Sequence, residues 1–124
     1  MTPTALLLIA HGSRRAEANA DLDYLAAELR ARGEYLVVQP SYLELADPEI
    51  VPGGEMCVAV GAGRVVMLPY FLSPGRHVVE DLTAARDELA RRHPAVEFVL
   101  AEPLGRHPLM LQVVTERARA ALGQ

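Results

Sequence analysis

The stretch Ala5-Leu6-Leu7-Leu8-Ile9-Ala10 is an apolar run of six residues that stops abruptly at His11-Gly12-Ser13-Arg14-Arg15. A run without polar alternation suits a central strand of a parallel sheet, buried on both faces. Parallel strands need crossover connections, and crossovers are usually helices. The residues that end the run place an imidazole, a glycine, a hydroxyl and two guanidiniums where the chain must leave the sheet. In open α/β folds that edge is where ligands bind. The rest of the chain can therefore be read for polar groups that return to the edge carrying His11.

Ala16 to Arg32 reads as the first helix, with Leu22, Leu25 and Leu29 on one stripe and Gly33 ending it. Tyr35 to Gln39 reads as a second strand, with Pro40 to Leu45 as its extended exit. Asp47-Pro48 looks like a cap followed by proline in the first helical turn. Pro52-Gly53-Gly54 interrupts the expected second helix, which places most of it at Glu55 to Gly61. Val65 to Tyr70 is the third strand, with Pro69 near its end, where a missing donor is tolerated. The loop Phe71 to Arg76 leads into His77 and a third helix, whose core stripe is Val78, Leu82, Ala85 and Leu89. Val96 to Ala101 is the fourth strand, and a last helix is expected to bury Leu111, Val114, Ala118 and Ala121.

Four βα units in succession predict an α/β fold: a three-layer, four-stranded parallel sheet with helices on both faces, half of a flavodoxin-like arrangement. Right-handed crossovers give the strand order 2-1-3-4. Residues 1–124 read as one domain, with no linker or repeat. No stretch approaches the roughly 20 apolar residues of a membrane span, and no signal peptide is recognisable, so the cytoplasm is the expected location. The single cysteine, Cys57, excludes an intrachain disulfide and reads as a small core residue. Met56, Met67 and Met110 read as core filler. A net charge of -4 argues against a nucleic-acid partner. All 12 basic residues are arginine, a bias that codon usage explains, unless position singles some of them out as carboxylate grips.

In the 2-1-3-4 order the first and third strands are neighbours, about 4.8 Å apart. His11 follows one and His77 begins the helix after the other, so two imidazoles 66 positions apart in sequence leave the sheet side by side. Such a pair can share a metal ion. Glu44, at the exit of the second strand, can supply an oxygen ligand or receive protons. His93, at the opposite edge, and His107, further out, read as capping or loop residues. Arg14, Arg15, Arg76 and Arg106 fall in loops at the edge of His11, whereas Arg30, Arg32, Arg91 and Arg92 lie at helix C-termini, where the dipole accounts for them. The His11-Gly12-Ser13 loop can also hold an anion at a helix start, which leaves a phosphate or flavin module open. No glycine-rich phosphate fingerprint is present.

LLLIAHGSRR (Leu6 to Arg15), YLELADP (Tyr42 to Pro48), VVMLPYFLSPGRHV (Val65 to Val78) and EPLGRHP (Glu102 to Pro108) together resemble the small sirohydrochlorin chelatases of the CbiX/SirB type, the class II chelatases. The resemblance runs in order along nearly the whole chain. It implies a chelatase-like fold and a lyase that inserts cobalt, for cobalamin, or iron, for siroheme, into the tetrapyrrole sirohydrochlorin. It also implies that His11 and His77 are the metal-binding histidines, with Glu44 their acidic partner in catalysis. Ser13, Arg14, Arg15 and Arg76 become grips for the carboxylates of the substrate. The divalent metal is then a substrate (Co2+ or Fe2+, with Ni2+ open on ligand chemistry), and no organic cofactor is expected. The short length implies a homodimer equivalent to the two halves of longer chelatases. A non-catalytic carrier of metal or tetrapyrrole would use the same histidines.

Overall fold

A computed structural model describes residues 2–124. Strands and helices alternate as β1 (Thr4–Ala10), α1 (Ala16–Arg32), β2 (Val38–Tyr42), α2 (Ile50–Ala59), β3 (Arg64–Pro69), α3 (Arg76–Arg92), β4 (Glu97–Leu100) and α4 (Pro108–Ala121). All pairings are parallel, and the order is β2-β1-β3-β4, as the crossover rule requires. Leu8 of β1 lies opposite Pro40 on one side and Leu68 on the other, while Val66 of β3 lies opposite Val99 of β4. Ala5 to Ile9 are all buried, so the apolar run is the spine of the core.

The side chains of β1 alternate between two apolar layers. Leu7 and Ile9 pack with Ile50 and Cys57 of α2 and with Leu82 and Leu89 of α3. Leu6 and Leu8 pack with Leu22 and Ala26 of α1 and with Val38. Right-handed crossovers explain the division: the chain moves one way from β1 to β2 and the other way from β2 to β3 and β4. That reversal puts α1 on one face and both α2 and α3 on the other.

Several local expectations change. The second strand starts at Val38, not Tyr35, and runs through Pro40 to Tyr42. β2 has a neighbour on one side only, and an edge tolerates a proline that a central ladder would not. Asp47-Pro48 is a cis peptide that precedes the helix, and Glu49 takes the N-cap position. The second helix is not displaced to Glu55 but runs straight through Pro52-Gly53-Gly54. Pro52 falls in the first turn, where no intrahelical partner for its nitrogen is needed. The glycines answer to packing: a Cβ at Gly53 would lie 3.0 Å from the Ser41 Cβ, and one at Gly54 would lie 2.5 Å from Leu89 Cδ1. They let α2 approach the sheet and α3 closely, which outweighs their cost to helix propensity. Met56 is exposed rather than core, because it faces away from both contacts. The last helix departs most, since none of its residues is buried and the expected stripe of Leu111, Val114, Ala118 and Ala121 finds no core.

Away from the sheet edge that carries His11, an ionic cluster ties α2 to α3. His93 and Arg92 both meet the Glu55 carboxylate, and Arg92 also donates to Glu88 at 2.7 Å. Arg92 first, and His93 second, hold the Glu55 carboxyl below its ordinary value. Such stability is present above the unfolded carboxyl pKa and is lost as pH falls through the lower folded value. Melting temperature should therefore fall between about pH 5 and about pH 3, and Glu55→Gln should flatten that limb in a calorimetric series. Truncating Leu89 to alanine should cost about 2–5 kcal/mol in urea unfolding. Gly54→Ala alone should cost about 1–3 kcal/mol by overpacking. In the Leu89→Ala background the Gly54→Ala cost should shrink, because the two sites share one contact; simple additivity would refute that contact as the cause.

Candidate metal-insertion site

The carboxyl ends of the strands are stitched together by backbone hydrogen bonds that continue past the sheet. Leu43 N–H donates to the Ala10 carbonyl at 2.9 Å and Glu44 N–H to the His11 carbonyl at 3.1 Å. On the other side Tyr70 N–H donates to the Ile9 carbonyl at 2.7 Å, and Leu104 N–H to the Phe71 carbonyl at 2.8 Å. Two of the loop contacts leave no room for a side chain. Gly12 has φ 93°, and a Cβ there would fall 1.8 Å from the Glu44 carbonyl oxygen. A Cβ at Gly105 would fall 1.9 Å from the Leu72 carbonyl oxygen. Glycine at both seams lets the four exit loops form one continuous rim.

Asn19, in the second turn of α1, fixes the loop after β1. Its Oδ1 accepts from Ser13 N–H at 3.0 Å, and its Nδ2 donates to the Ser13 carbonyl at 2.8 Å. The Ser13 hydroxyl accepts from Arg15 N–H at 3.1 Å. Tyr42, at the end of β2, donates its hydroxyl to the Asn19 carbonyl at 3.3 Å. Burial first, then the Asp23 carboxylate, raises the Tyr42 phenol above its ordinary value and keeps it a donor. No motif marks Asn19 or Tyr42 in the sequence; the signals available were a polar side chain one helical turn beyond the loop and a phenol closing the second strand.

His11 leaves β1 on this rim with an exposed imidazole whose ring meets Phe71 edge-on, 4.5 Å between centroids. Phe71 is itself buried, so it fixes one side of the histidine and is not free to face a ligand. A concavity of about 270 Å³ opens beside His11 and is bordered by Tyr42 and Tyr70. His77 lies in the first turn of α3, after the neighbouring strand, and its side chain is 96% exposed. Its Nδ1 stands 3.9 Å from a Glu80 carboxylate oxygen. Glu44 joins His11 through the backbone, and its residue is exposed. Among the described residues no three His, Cys, Asp or Glu side chains are gathered closely enough to hold a metal ion. His11, His77 and Glu44 thus share a rim without forming a closed ligand set.

The arginines separate by position. Arg14 borders a concavity of about 580 Å³ between α1 and the exit of β2, together with Ser13. Arg15 pairs with Glu17 at 2.9 Å and Arg76 with Glu80 at 3.1 Å, both in highly exposed pairs. Arg30 departs from its expected role at the helix dipole, since it grips the Val38 carbonyl with two nitrogens at 3.1 and 2.7 Å. His107 caps α4, its Nδ1 accepting from Leu109 N–H at 3.1 Å, and His93 serves the Glu55 cluster. Cys57 is buried, and burial pushes its thiol up to about 11, which suits an inert core residue.

The fold that carries this rim recurs in known proteins. The chain is 36% identical over 117 residues to a chloroplastic sirohydrochlorin ferrochelatase of Arabidopsis thaliana, covering 94% of this chain and 52% of that protein. Its fold superimposes on the sirohydrochlorin chelatase SirB of Bacillus subtilis subspecies spizizenii, solved in complex with cobalt, with a TM-score of 0.85 and 27% identity. That match covers 94% of this chain and 50% of SirB. A cobalamin (vitamin B12) biosynthesis CbiX protein from Marinobacter aquaeolei gives a TM-score of 0.83 at 27% identity and covers 98% of both chains. The chain therefore spans about half the length of the first two of these relatives and matches the third end to end. The CbiX family model matches residues 5–121, and the chain belongs to the CbiX family.

Proposed function

We propose that the protein is a sirohydrochlorin chelatase, a lyase that inserts Co2+ or Fe2+ into the tetrapyrrole. The observation that carries this reading is the likeness to sirohydrochlorin chelatases over nearly the whole chain, joined to two histidines leaving adjacent strands on one rim. His11 and His77 are the ligands that receive the divalent ion. Two imidazoles leave most coordination positions open, unlike a closed structural site, so the ion can pass to the four macrocycle nitrogens. Insertion exchanges two pyrrole N–H protons for the metal, and Glu44, beside His11, is placed to receive protons. Imidazole and carboxylate suit cobalt, iron and nickel, so affinity alone does not select the metal.

The substrate carries many carboxylates, which match Arg14, Arg15 and Arg76 around the rim, with Ser13 beside them. The ion pairs of Arg15 with Glu17 and of Arg76 with Glu80 are exposed and worth little. Their guanidiniums can therefore exchange partners for substrate carboxylates in two-pronged contacts. Exposed Tyr70 and Leu72 offer apolar surface to the macrocycle. The half length relative to SirB supports a homodimer as the working unit. A cytoplasmic setting fits the composition, and among the described residues no helix is long and apolar enough to cross a membrane.

Mixed with sirohydrochlorin and excess Co2+ or Fe2+, the protein should drive many turnovers of the absorption change that accompanies metallation. A change that stops at one equivalent would identify a carrier instead. His11→Ala and His77→Ala should each lower the rate about 100-fold or more, a loss of at least ~2.7 kcal/mol in barrier terms. His93→Ala, far from the rim, should leave the rate near that of the parent. Ligand binding that survives removal of both His11 and His77 would point to the phosphate or flavin reading.

A further inference from the structure

The strand ladder reaches only as far as His11. Its carbonyl accepts from Glu44 N–H at 3.1 Å, and the next residue, Gly12, has φ 93°. Glycine is the most permissive of residues, so a chain left loose beyond it would swing. At the far end of the loop α1 begins at Arg15, whose side chain makes no capping bond. Ser13, Arg14 and Arg15 therefore lie between a glycine and a helix start without a side-chain cap of its own. They carry three of the four proposed grips for the substrate carboxylates.

One side chain closes the gap. Asn19 Oδ1 accepts from Ser13 N–H at 3.0 Å, and its Nδ2 donates to the Ser13 carbonyl at 2.8 Å. A single planar amide thus holds both backbone groups of Ser13. The Ser13 hydroxyl in turn accepts from Arg15 N–H at 3.1 Å, which carries the hold to the start of α1. Asn19 is itself anchored, because its carbonyl accepts from the Tyr42 hydroxyl at 3.3 Å. Ser13, Asn19 and Tyr42 border both the concavity of about 270 Å³ beside His11 and the one of about 580 Å³ beside Arg14. Asparagine is a poorer helix former than alanine, since its amide competes for local backbone groups. Its place in the second turn of α1 is accounted for by the loop, not by the helix.

We propose that Asn19 is a positioning residue for substrate capture: its amide fixes Ser13 and, through Ser13, aims the grips at Arg14 and Arg15 over the two concavities. His11 does not depend on it, because the ladder holds His11 from the side of Glu44. Asn19 therefore governs how tightly the polycarboxylate tetrapyrrole is held and leaves ligation of the metal ion alone. This inference rests on the chelatase reading above and deepens it at the substrate end.

Titration of the full chain with sirohydrochlorin in the absence of metal, followed by absorption, tests it alongside steady-state kinetics. Asn19→Ala should weaken tetrapyrrole binding and raise its KM about 10-fold or more. The kcat at saturating sirohydrochlorin and the affinity for Co2+ should each change by less than about 3-fold. Hydrogen exchange at the Ser13 amide should quicken about 10-fold or more. Alanine is the better helix former, so the variant keeps α1. Asn19→Leu, of similar size but without polar atoms, should show the same defect. Leu89→Ala, which lowers stability on the opposite face of the sheet, should leave KM at the parent value while both chains stay folded; a KM that rises there equally would reduce Asn19 to a merely structural role and overturn the proposal. Unchanged tetrapyrrole binding in Asn19→Ala, or a loss of Co2+ affinity as large as that of His11→Ala, would also overturn it. A parent chain that binds no sirohydrochlorin would overturn the chelatase reading itself, and this proposal with it.

Discussion

Everything at the candidate site depends on β1 being paired on both sides. Its residues are bonded in parallel register to β2 and β3, and the bonding does not stop where the strand stops. Carbonyls of Ile9, Ala10 and His11 go on to accept from Tyr70, Leu43 and Glu44. Exit loops in many α/β proteins move freely, but here three of them are held by the same backbone ladder that makes the sheet. Gly12 is the condition for this, because any side chain there would collide with the Glu44 carbonyl. The histidine that follows the apolar run is thereby fixed in place by main-chain geometry, with the Phe71 ring packed against its imidazole at an edge-to-face angle.

The architecture was legible because its signals are global. An unbroken apolar run, four βα units in succession and the handedness of crossovers lead to one strand order, and local errors do not disturb it. Local errors arose where a residue has two meanings. Pro52, Gly53 and Gly54 read as a helix break by propensity, yet two of them are the small residues that let α2 pack against Leu7, Ser41 and Leu89. Pro40 reads as the end of a strand, but an edge strand accepts it. At the glycines a tertiary contact outweighed a preference of about 1 kcal/mol, and at Pro40 the strand's place at the sheet edge removed the conflict; neither can be read from a window of sequence.

The last helix teaches a different lesson. Its apolar periodicity is genuine, yet Leu111, Val114, Ala118 and Ala121, expected as a buried stripe, are not buried. What a sequence pattern specifies is an apolar face, not whether the core of the fold reaches it. The same holds for the rim: His11 and His77 could be found from their exits after neighbouring strands, whereas Asn19 and Tyr42, which hold the loop between them, carry no motif. Supporting residues are visible only once the backbone has placed them.

The openness of the rim is consistent with its proposed chemistry. A structural metal site gathers four ligands and buries them, and its stability opposes release. Here the imidazole of His77 stands almost fully in solvent, among the described residues no three His, Cys, Asp or Glu side chains gather around one point, and the nearby ion pairs are exposed. An ion held by such a set keeps water in its remaining positions and can surrender its ligands stepwise to an incoming macrocycle. The rigid part of the site is therefore the backbone beneath it, and the labile part is the coordination above. A device that must bind a transition ion and then give it away needs that division, and the stitched strand ends supply the first half of it.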